Sequence, residues 1–300
     1  MADKSDIEPG VVAELEPGLR RILAPNPSPM TLHGTNTFLI GTDRLAVIDP
    51  GPNDPQHLNA LIAAIDGAKV DAILVTHSHI DHSPLARPLA DATDAPVMAL
   101  GDSLAGRAEH MSGLAKTGAV GGGEGVDPDF APDVILSDEE EITVGGTHLT
   151  ALWTPGHMAN HMCFEMGETL FTGDHVMGWA SSLVSPPDGD LTAFMASCER
   201  LMARNSRIYH PAHGAPVTEP KDRLNWLIDH RKSRDAQILD ALRLGPSTAA
   251  SLTARIYTDV PPALLPAAER NVFAHLIDQH VRGLVSVDGA LGFDSIFTLR

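Results

Sequence analysis

Seven residues constrain this chain more than any others. Thr76-His77-Ser78-His79-Ile80-Asp81-His82 gathers three imidazoles and a carboxylate. They follow a short apolar run, residues 72–75, that reads as a buried strand. On an extended backbone residues two apart project to the same side, so His77 and His79 can aim at one point. Asp81 and His82 follow on the turn toward the next helix and can serve a second, adjacent ion. Zinc takes nitrogen and oxygen donors of this kind at about 2.0–2.2 Å. A histidine-rich turn without a ligand is a poor account of such density.

Three further segments fit the same site, each after a short β-rich run. Thr154-Pro155-Gly156-His157 makes a tight turn that aims His157. Phe171-Thr172-Gly173-Asp174 presents Asp174, a natural bridging carboxylate. Tyr209-His210-Pro211-Ala212-His213-Gly214 offers two histidines, of which His213, before a glycine, is the better ligand. The first 220 residues alternate strand and helix patterns, with strands at 45–48, 72–75, 97–100, 149–153, 162–166, 169–171 and 208–209. Asp54-Pro55 reads as an N-cap and first-turn proline. The helix after it places Leu58, Leu61, Ile62 and Ile65 on one face and ends at Gly67. Residues 112–132, rich in glycine and turn formers, read as a long mobile loop that can overhang a site. After residue 220 the texture changes. Helical patterns at 223–244, 247–257 and 264–281, the last with Val272, Leu276 and Ile277 on its apolar side, precede a hairpin of 284–287 and 295–299. That is a winged-helix pattern. The expected organisation is therefore two domains, residues 1–220 and 221–300.

Composition narrows the function. Residues 1–220 carry 11 Lys and Arg against 30 Asp and Glu, and residues 221–300 carry 10 against 9, for a formal net charge of −18. An acidic body repels polyphosphate at long range, which weighs against tight nucleic-acid binding. Bound metal ions or a local basic patch reverse that field locally, and Arg231, Lys232, Arg234 and Arg243 give the first C-terminal helix a basic character. No run of about 18 apolar residues occurs, so no membrane span is expected. The opening MADKSDIEPG lacks the apolar core of a signal peptide, so a cytoplasmic chain is expected. Cys163 and Cys198 are read as two buried thiols, and Met158, Met162 and Met177 as pocket or core residues. Gly121-Gly122-Gly123-Glu124-Gly125 lacks the Lys-Ser/Thr ending of a phosphate loop and reads as a flexible loop. Asp138-Glu139-Glu140-Glu141 reads as a solvated turn before a strand. No GxSxG nucleophile motif occurs.

The HxHxDH pattern of His77, His79, Asp81 and His82 resembles the metallo-β-lactamase superfamily, and within it the β-lactamase-like protein 2 family. That narrower likeness rests on Asn26-Pro27-Ser28-Pro29-Met30-Thr31-Leu32-His33-Gly34-Thr35-Asn36-Thr37, on Thr154-Pro155-Gly156-His157 and Phe171-Thr172-Gly173-Asp174, and on Asp229-His230-Arg231. Ser83-Pro84 after the motif, where small glycines are common, and His175 after Asp174 depart from the pattern. The resemblance implies an α/β fold, an αββα sandwich followed by a small winged-helix-like domain. It implies one metal on His77, His79 and His157 and a second on Asp81, His82 and His213. Asp174 bridges them, and Asp49 orients ligands rather than binding metal. The expected cofactor is two divalent ions, zinc before manganese or iron. They acidify a shared water whose hydroxide attacks a carbonyl carbon or a phosphorus, with Asp81 and Asp174 as the catalytic carboxylates. His33, His161 and His175 are candidates for leaving-group protonation. The expected substrate is a small ester, thioester or lactone. The alternatives are single-stranded RNA cut by an endoribonuclease, and a non-catalytic module with a relict site. A β-lactam is not expected without a secretion signal. The oligomeric state, self-association included, stays open.

Overall fold

The computed structural model describes residues 8–300; residues 1–7, on which part of the signal-peptide reading rests, lie outside the described residues. A first sheet of seven strands runs in chain order: β1 (Val12–Glu16), β2 (Leu19–Leu23), β3 (Asn36–Gly41), β4 (Arg44–Ile48), β5 (Lys69–Leu74), β6 (Val97–Ala99) and β7 (Val134–Ile135). β1 to β4 are antiparallel and β4 to β7 parallel, the latter joined by α1 (Pro55–Ile65), α2 (Ala86–Thr93) and α3 (Glu109–Thr117). The second sheet orders β12 (Ile208–Pro211), β11 (Thr169–Gly173), β10 (Met162–Met166), β9 (Thr147–Trp153) and β8 (Glu140–Val144), with α4 (Leu191–Met202) between β11 and β12. The C-terminal part holds α5 (Pro220–Leu242), α6 (Ala249–Ile256), α7 (Leu265–Val281) and the hairpin β13 (Val285–Val287) and β14 (Phe297–Leu299).

The period-two alternation of strands builds the layers. Leu45 and Val47 of β4 face the helices α1 and α2, while Ala46 and Ile48 face the other sheet. In β10, Met162 and Phe164 point into the space between sheets, and Cys163 points outward onto Phe194 and Cys198 of α4. The result is an αββα sandwich. α5 joins it to a fourth core: Leu224, Leu227 and Ile228 bury against α4, whereas Ile238, Ala241 and Leu242 bury with Val272, Phe273 and Leu276 of α7. Val272, Leu276 and Ile277 are buried as the helical spacing predicts. Among the described residues no helix is long and apolar enough to cross a membrane.

Asp54 caps α1, accepting from the backbone N–H groups of Gln56 and His57. The face of α1 differs from expectation: His57, Leu61, Ala64 and Ile65 are buried, and Ile62 is 42% exposed. Ile62 lies about 100° round the helix from Leu61, outside the stripe that Leu61 and Ile65 set. The segment expected as one loop over 112–132 is also corrected, because its first part belongs to α3, which ends at Gly118 in a left-handed conformation. The remainder is tethered. Ile80 N–H donates to Gly125 O, Asp127 N–H donates to Ser78 O, and Val126 forms a bridge with His79. Asp138 and Glu139 lie on an exposed turn before β8, held by Arg200 and Arg204.

Candidate metal centre

The metal-motif loop leaves the end of β5, and the other three segments leave β9, β11 and β12, so both sheets deliver donors to one edge. The donors converge in three overlapping groups, His77/His79/His157, His77/His82/Asp174 and Asp81/His82/His213. Within each group the donor atoms lie within 4.8 Å of one another. His77 Nε2 stands 2.9 Å and His157 Nε2 3.1 Å from His79 Nδ1. On the other side His213 Nε2 lies 3.2 Å from both Asp81 Oδ2 and Asp174 Oδ1, and His82 Nε2 lies 3.5 Å and 3.6 Å from the same oxygens. Donors about 2.0–2.1 Å from one tetrahedral ion stand about 3.3 Å apart. Asp174 turns Oδ1 to His82 and His213, and Oδ2 to His157 at 3.6 Å.

The opposite ring nitrogens fix how the donors point. His77 Nδ1 donates to Thr76 Oγ1 (3.0 Å), whose own proton goes to Asp49 Oδ2 (2.8 Å). His82 Nδ1 donates to Asp49 Oδ2 (3.0 Å), His157 Nδ1 to Leu183 O (2.7 Å), and His213 Nδ1 to Gly34 O (3.1 Å). Each such bond turns Nε2 inward, so that it can offer a lone pair to a cation, as ligand partners do in metal sites. Asp49 thus stands behind the donors. It also accepts from Thr76 N–H at 2.8 Å and has φ +51°, a left-handed conformation unusual for a side-chain-bearing residue. Thr37 Oγ1 donates to Asp49 O, and His57 Nε2 in turn donates to Thr37 Oγ1. Sequence reasoning gave no role to Thr37, His57, Thr76 or Leu183; a backbone carbonyl such as that of Leu183 has no sequence signature.

Electrostatics divides the site in two. Burial holds His77 and His157 below the usual histidine range and takes His79 down to about 3, aided for His77 by His82 and for His79 by His157. These three rings are neutral. One proton cannot satisfy three nitrogens that face one another, and a cation can. On the carboxylate side, burial opposes charge on His213 and His82. Asp174 and Asp81 outweigh it, pushing His213 up to about 10 and His82 well above its ordinary value. Burial likewise opposes charge on the two carboxyls. For Asp81, His82 leads the groups that win, and for Asp174, His213 does; both carboxyls are held well below their ordinary range. His82 Nε2, His213 Nε2 and Asp174 Oδ1 are buried and crowd one another and Asp81 Oδ2 at 3.2–3.6 Å. The arrangement calls for positive charge where these atoms meet, so the donor set fits divalent ions.

Residues 30–213 match the family model described as the metallo-beta-lactamase superfamily. The chain belongs to that superfamily. Residues 248–292 match the beta-lactamase associated winged helix domain. A beta-lactamase-like protein 2 homolog of Drosophila melanogaster is 31% identical over 291 residues, covering 92% of each chain. The Caenorhabditis elegans homolog of the same description is 28% identical over 283 residues, 91% of this chain and 86% of that one. An atrochrysone carboxyl ACP thioesterase of Aspergillus fumigatus is 30% identical over 238 residues, 76% of this chain and 66% of its own length. Among solved structures, a beta-lactamase domain protein from Burkholderia ambifaria superposes with a TM-score of 0.80 at 21% identity, over 100% of this chain and 96% of that chain. A metallo-beta-lactamase family protein from Thermus thermophilus gives 0.76 at 24% identity, over 96% and 100%. At these identities the two structures speak for the fold alone. This metallo-β-lactamase-fold chain is a hydrolase, as the members of its family are.

The other histidines sort by burial. His210 is buried, stacked on Phe171 beside Phe38, and neither ring nitrogen has a partner, so it is a core residue of the metallo-β-lactamase sandwich. His161 Nε2 accepts from Asp174 N–H at 3.2 Å, and its Nδ1 donates to Thr154 Oγ1 at 2.9 Å. His175 is buried against Phe194 with Nε2 on Cys198 Sγ. Neither ring is free to meet a leaving group; His33, the third candidate, is exposed. Cys163 and Cys198 are free and buried, and burial pushes each thiol up to about 12. Met158, Met162 and Met177 are buried too.

Proposed function

We propose that the chain is a binuclear metal-dependent hydrolase acting on a small acyl substrate, a thioester, ester or lactone. The carrying observation is that the two oxygens of Asp174 are divided between two donor sets. In this reading His77, His79 and His157 hold one ion, and Asp81, His82 and His213 the other. Asp174 bridges them and Asp49 orients them. Zinc suits the imidazole and carboxylate donors. Bound ions supply an acidified water and positive charge against the oxygen on which charge develops. Asp49, Thr76, Leu183 O and Gly34 O keep the rings of His77, His82, His157 and His213 in the tautomer that offers Nε2. We also propose that the chain divides near residue 220, where α5 starts.

The side chains around the centre support an acyl substrate over RNA. Ile80, between two ligands, is 54% exposed, and Trp179 is 38% exposed. Trp179 Nε1 donates to His213 O at 3.1 Å, and the ring packs on Gly214, where a Cβ would stand 2.7 Å from it. Phosphate binding needs cations free to face solvent. The arginines that reach the segments around the centre are engaged with the protein. Arg107 pairs with Asp188, Arg223 donates to Met177 O and Ala180 O, and Arg270 donates to Val120 O and Pro186 O. Arg231, counted in the sequence as part of a basic helix face, is buried. The thioesterase among the relatives points the same way.

Elemental analysis coupled to turnover on thioester, ester, lactone and RNA panels tests the proposal. Two equivalents of metal with acyl turnover, abolished in Asp81→Ala and His82→Ala, is the expected result. Turnover of RNA alone transfers the site to the endoribonuclease reading. Protein that takes up no metal and turns over nothing leaves the relict-site reading.

A further inference from the structure

His157 depends on a segment that is neither strand nor helix. Its Nδ1 donates to Leu183 O at 2.7 Å. A carbonyl can only accept, so this bond places the ring proton on Nδ1 and leaves Nε2 facing His79 Nδ1 and Asp174 Oδ2. Both neighbours of Leu183 are gripped from the C-terminal helices. Val184 N–H donates to Asn271 Oδ1 of α7 at 3.0 Å, and the same oxygen accepts from Arg231 Nη1 of α5 at 2.9 Å. Arg231 Nη2 donates to Ser182 O. Arg270, next to Asn271, donates to Ser185 Oγ at 2.8 Å and to Pro186 O.

We infer that the C-terminal domain is a working part of the metal centre: Asn271, with Arg231 and Arg270, is a positioning residue that sets the Leu183 carbonyl and through it the ring of His157. The inference rests on the reading of His157 as a metal ligand. The same domain also braces His79. Arg270 Nη1 donates to Val120 O at 2.6 Å and Phe293 N–H to Ala119 O at 2.8 Å. These bonds anchor the start of the glycine-rich loop whose Val126 bridges to His79. The rings of His77, His82 and His213 lean instead on Thr76, Asp49 and Gly34, inside the sandwich, and α5 reaches His213 only at its backbone carbonyl, through Arg223 and Trp179. Of the ring bonds that orient the donors, that of His157 is the one that rests on a segment gripped by α5 and α7, so the two ion positions depend on the C-terminal domain unequally.

The test uses the full chain, stripped of metal and titrated with zinc or cobalt(II). Asn271→Leu keeps the forked side-chain shape and removes the acceptor; Asn271→Asp keeps an acceptor oxygen beside Arg231 and serves as rescue. Asn271→Leu should weaken one of the two ions about 10- to 100-fold and leave the other unchanged, and Asn271→Asp should restore it. Imidazole ¹⁵N–¹H spectra of the metal-free protein should show His157 as the Nδ1–H tautomer in wild type and Asn271→Asp, and as a mixture in Asn271→Leu. Unchanged affinities and tautomer in Asn271→Leu overturn the inference. So does equal weakening of both ions in step with a lowered Tm. If Asn271→Leu fails to fold, Arg270→Gln, which removes the Ser185 and Pro186 anchors, is read the same way. A wild-type chain that binds no metal defeats the ligand reading, and the His157 spectra still decide the clamp.

Discussion

Asp49→Asn isolates the group behind the ligands. Asp49 adopts φ +51°, a region asparagine enters as readily as aspartate, so the exchange adds no backbone strain. The carboxylate accepts from Thr76 N–H, Thr76 Oγ1 and His82 Nδ1 at 2.8, 2.8 and 3.0 Å. An amide has one acceptor oxygen. With that oxygen on Thr76 N–H, its NH₂ faces the Thr76 hydroxyl and the His82 ring. The hydroxyl can rotate and accept. The imidazole must shift its proton to Nε2, and His82 then presents a donor where a lone pair is needed. Two hydrogen bonds to a charged acceptor are lost, each worth about 1.5–3 kcal/mol, and new amide contacts recover part of this. The expected cost is about 3 kcal/mol in the metal-free chain, read by urea denaturation. The expected loss of affinity for the ion at His82 is about 10- to 100-fold, read by competition with a chromogenic chelator. Two ions held as tightly as in wild type, with the His82 tautomer unaltered, would refute the argument that Asp49 sets that ring.

Burial takes His57 down to about 4, Asp54 opposing weakly, so the ring is neutral in the fold. Its stabilising contribution is complete above pH 6.5 and is lost as pH falls from 6.5 through 4, reaching about 3 kcal/mol; His57→Gln should flatten the wild-type slope of unfolding free energy over that window. Gly156 has φ +146°, and a Cβ there would stand 2.3 Å from Phe194 Cα. Gly156→Ala should therefore cost about 3 kcal/mol or more and displace His157, seen as a lowered Tm together with lost metal. Trp179→Ala should leave metal content unchanged and raise KM for apolar acyl substrates about fivefold, since covering the exposed part of the ring contributes about 1 kcal/mol. An unaltered KM across acyl chain lengths removes Trp179 from the substrate site.

The chemistry was more legible than the scaffold. His77, His79, Asp81 and His82 are adjacent in sequence, and His157, Asp174 and His213 each follow a strand-like run, so local pattern alone reached the residues that converge. What escaped depends on contacts between distant segments. Ile62 follows Leu58 by one turn but lies off the stripe of Leu61 and Ile65, and Ala64 and His57 take the buried positions on the face that meets the sheet. α3 holds Gly113 and was hidden in a glycine-rich stretch, and α4 between β11 and β12 passed unnamed. Arg231 looked like surface charge because its partners, Asn271 and Ser182 O, lie 40 and 49 residues away.

The donors reach the centre from opposite halves of the sandwich: His77, His79, Asp81 and His82 from the end of β5, and His157, Asp174 and His213 from the ends of β9, β11 and β12. A cation pair lodged there would work as a rivet through two plates that are otherwise joined by oily side chains such as Phe38, Phe164 and Phe171 and by a few polar ties such as Asn36 to Pro211 and Ala212. Starving the chain of metal should therefore unseam one rim of the molecule while the far rim stays shut, and amide exchange should rise along β5, β11 and β12 well before it rises in β1 or β8.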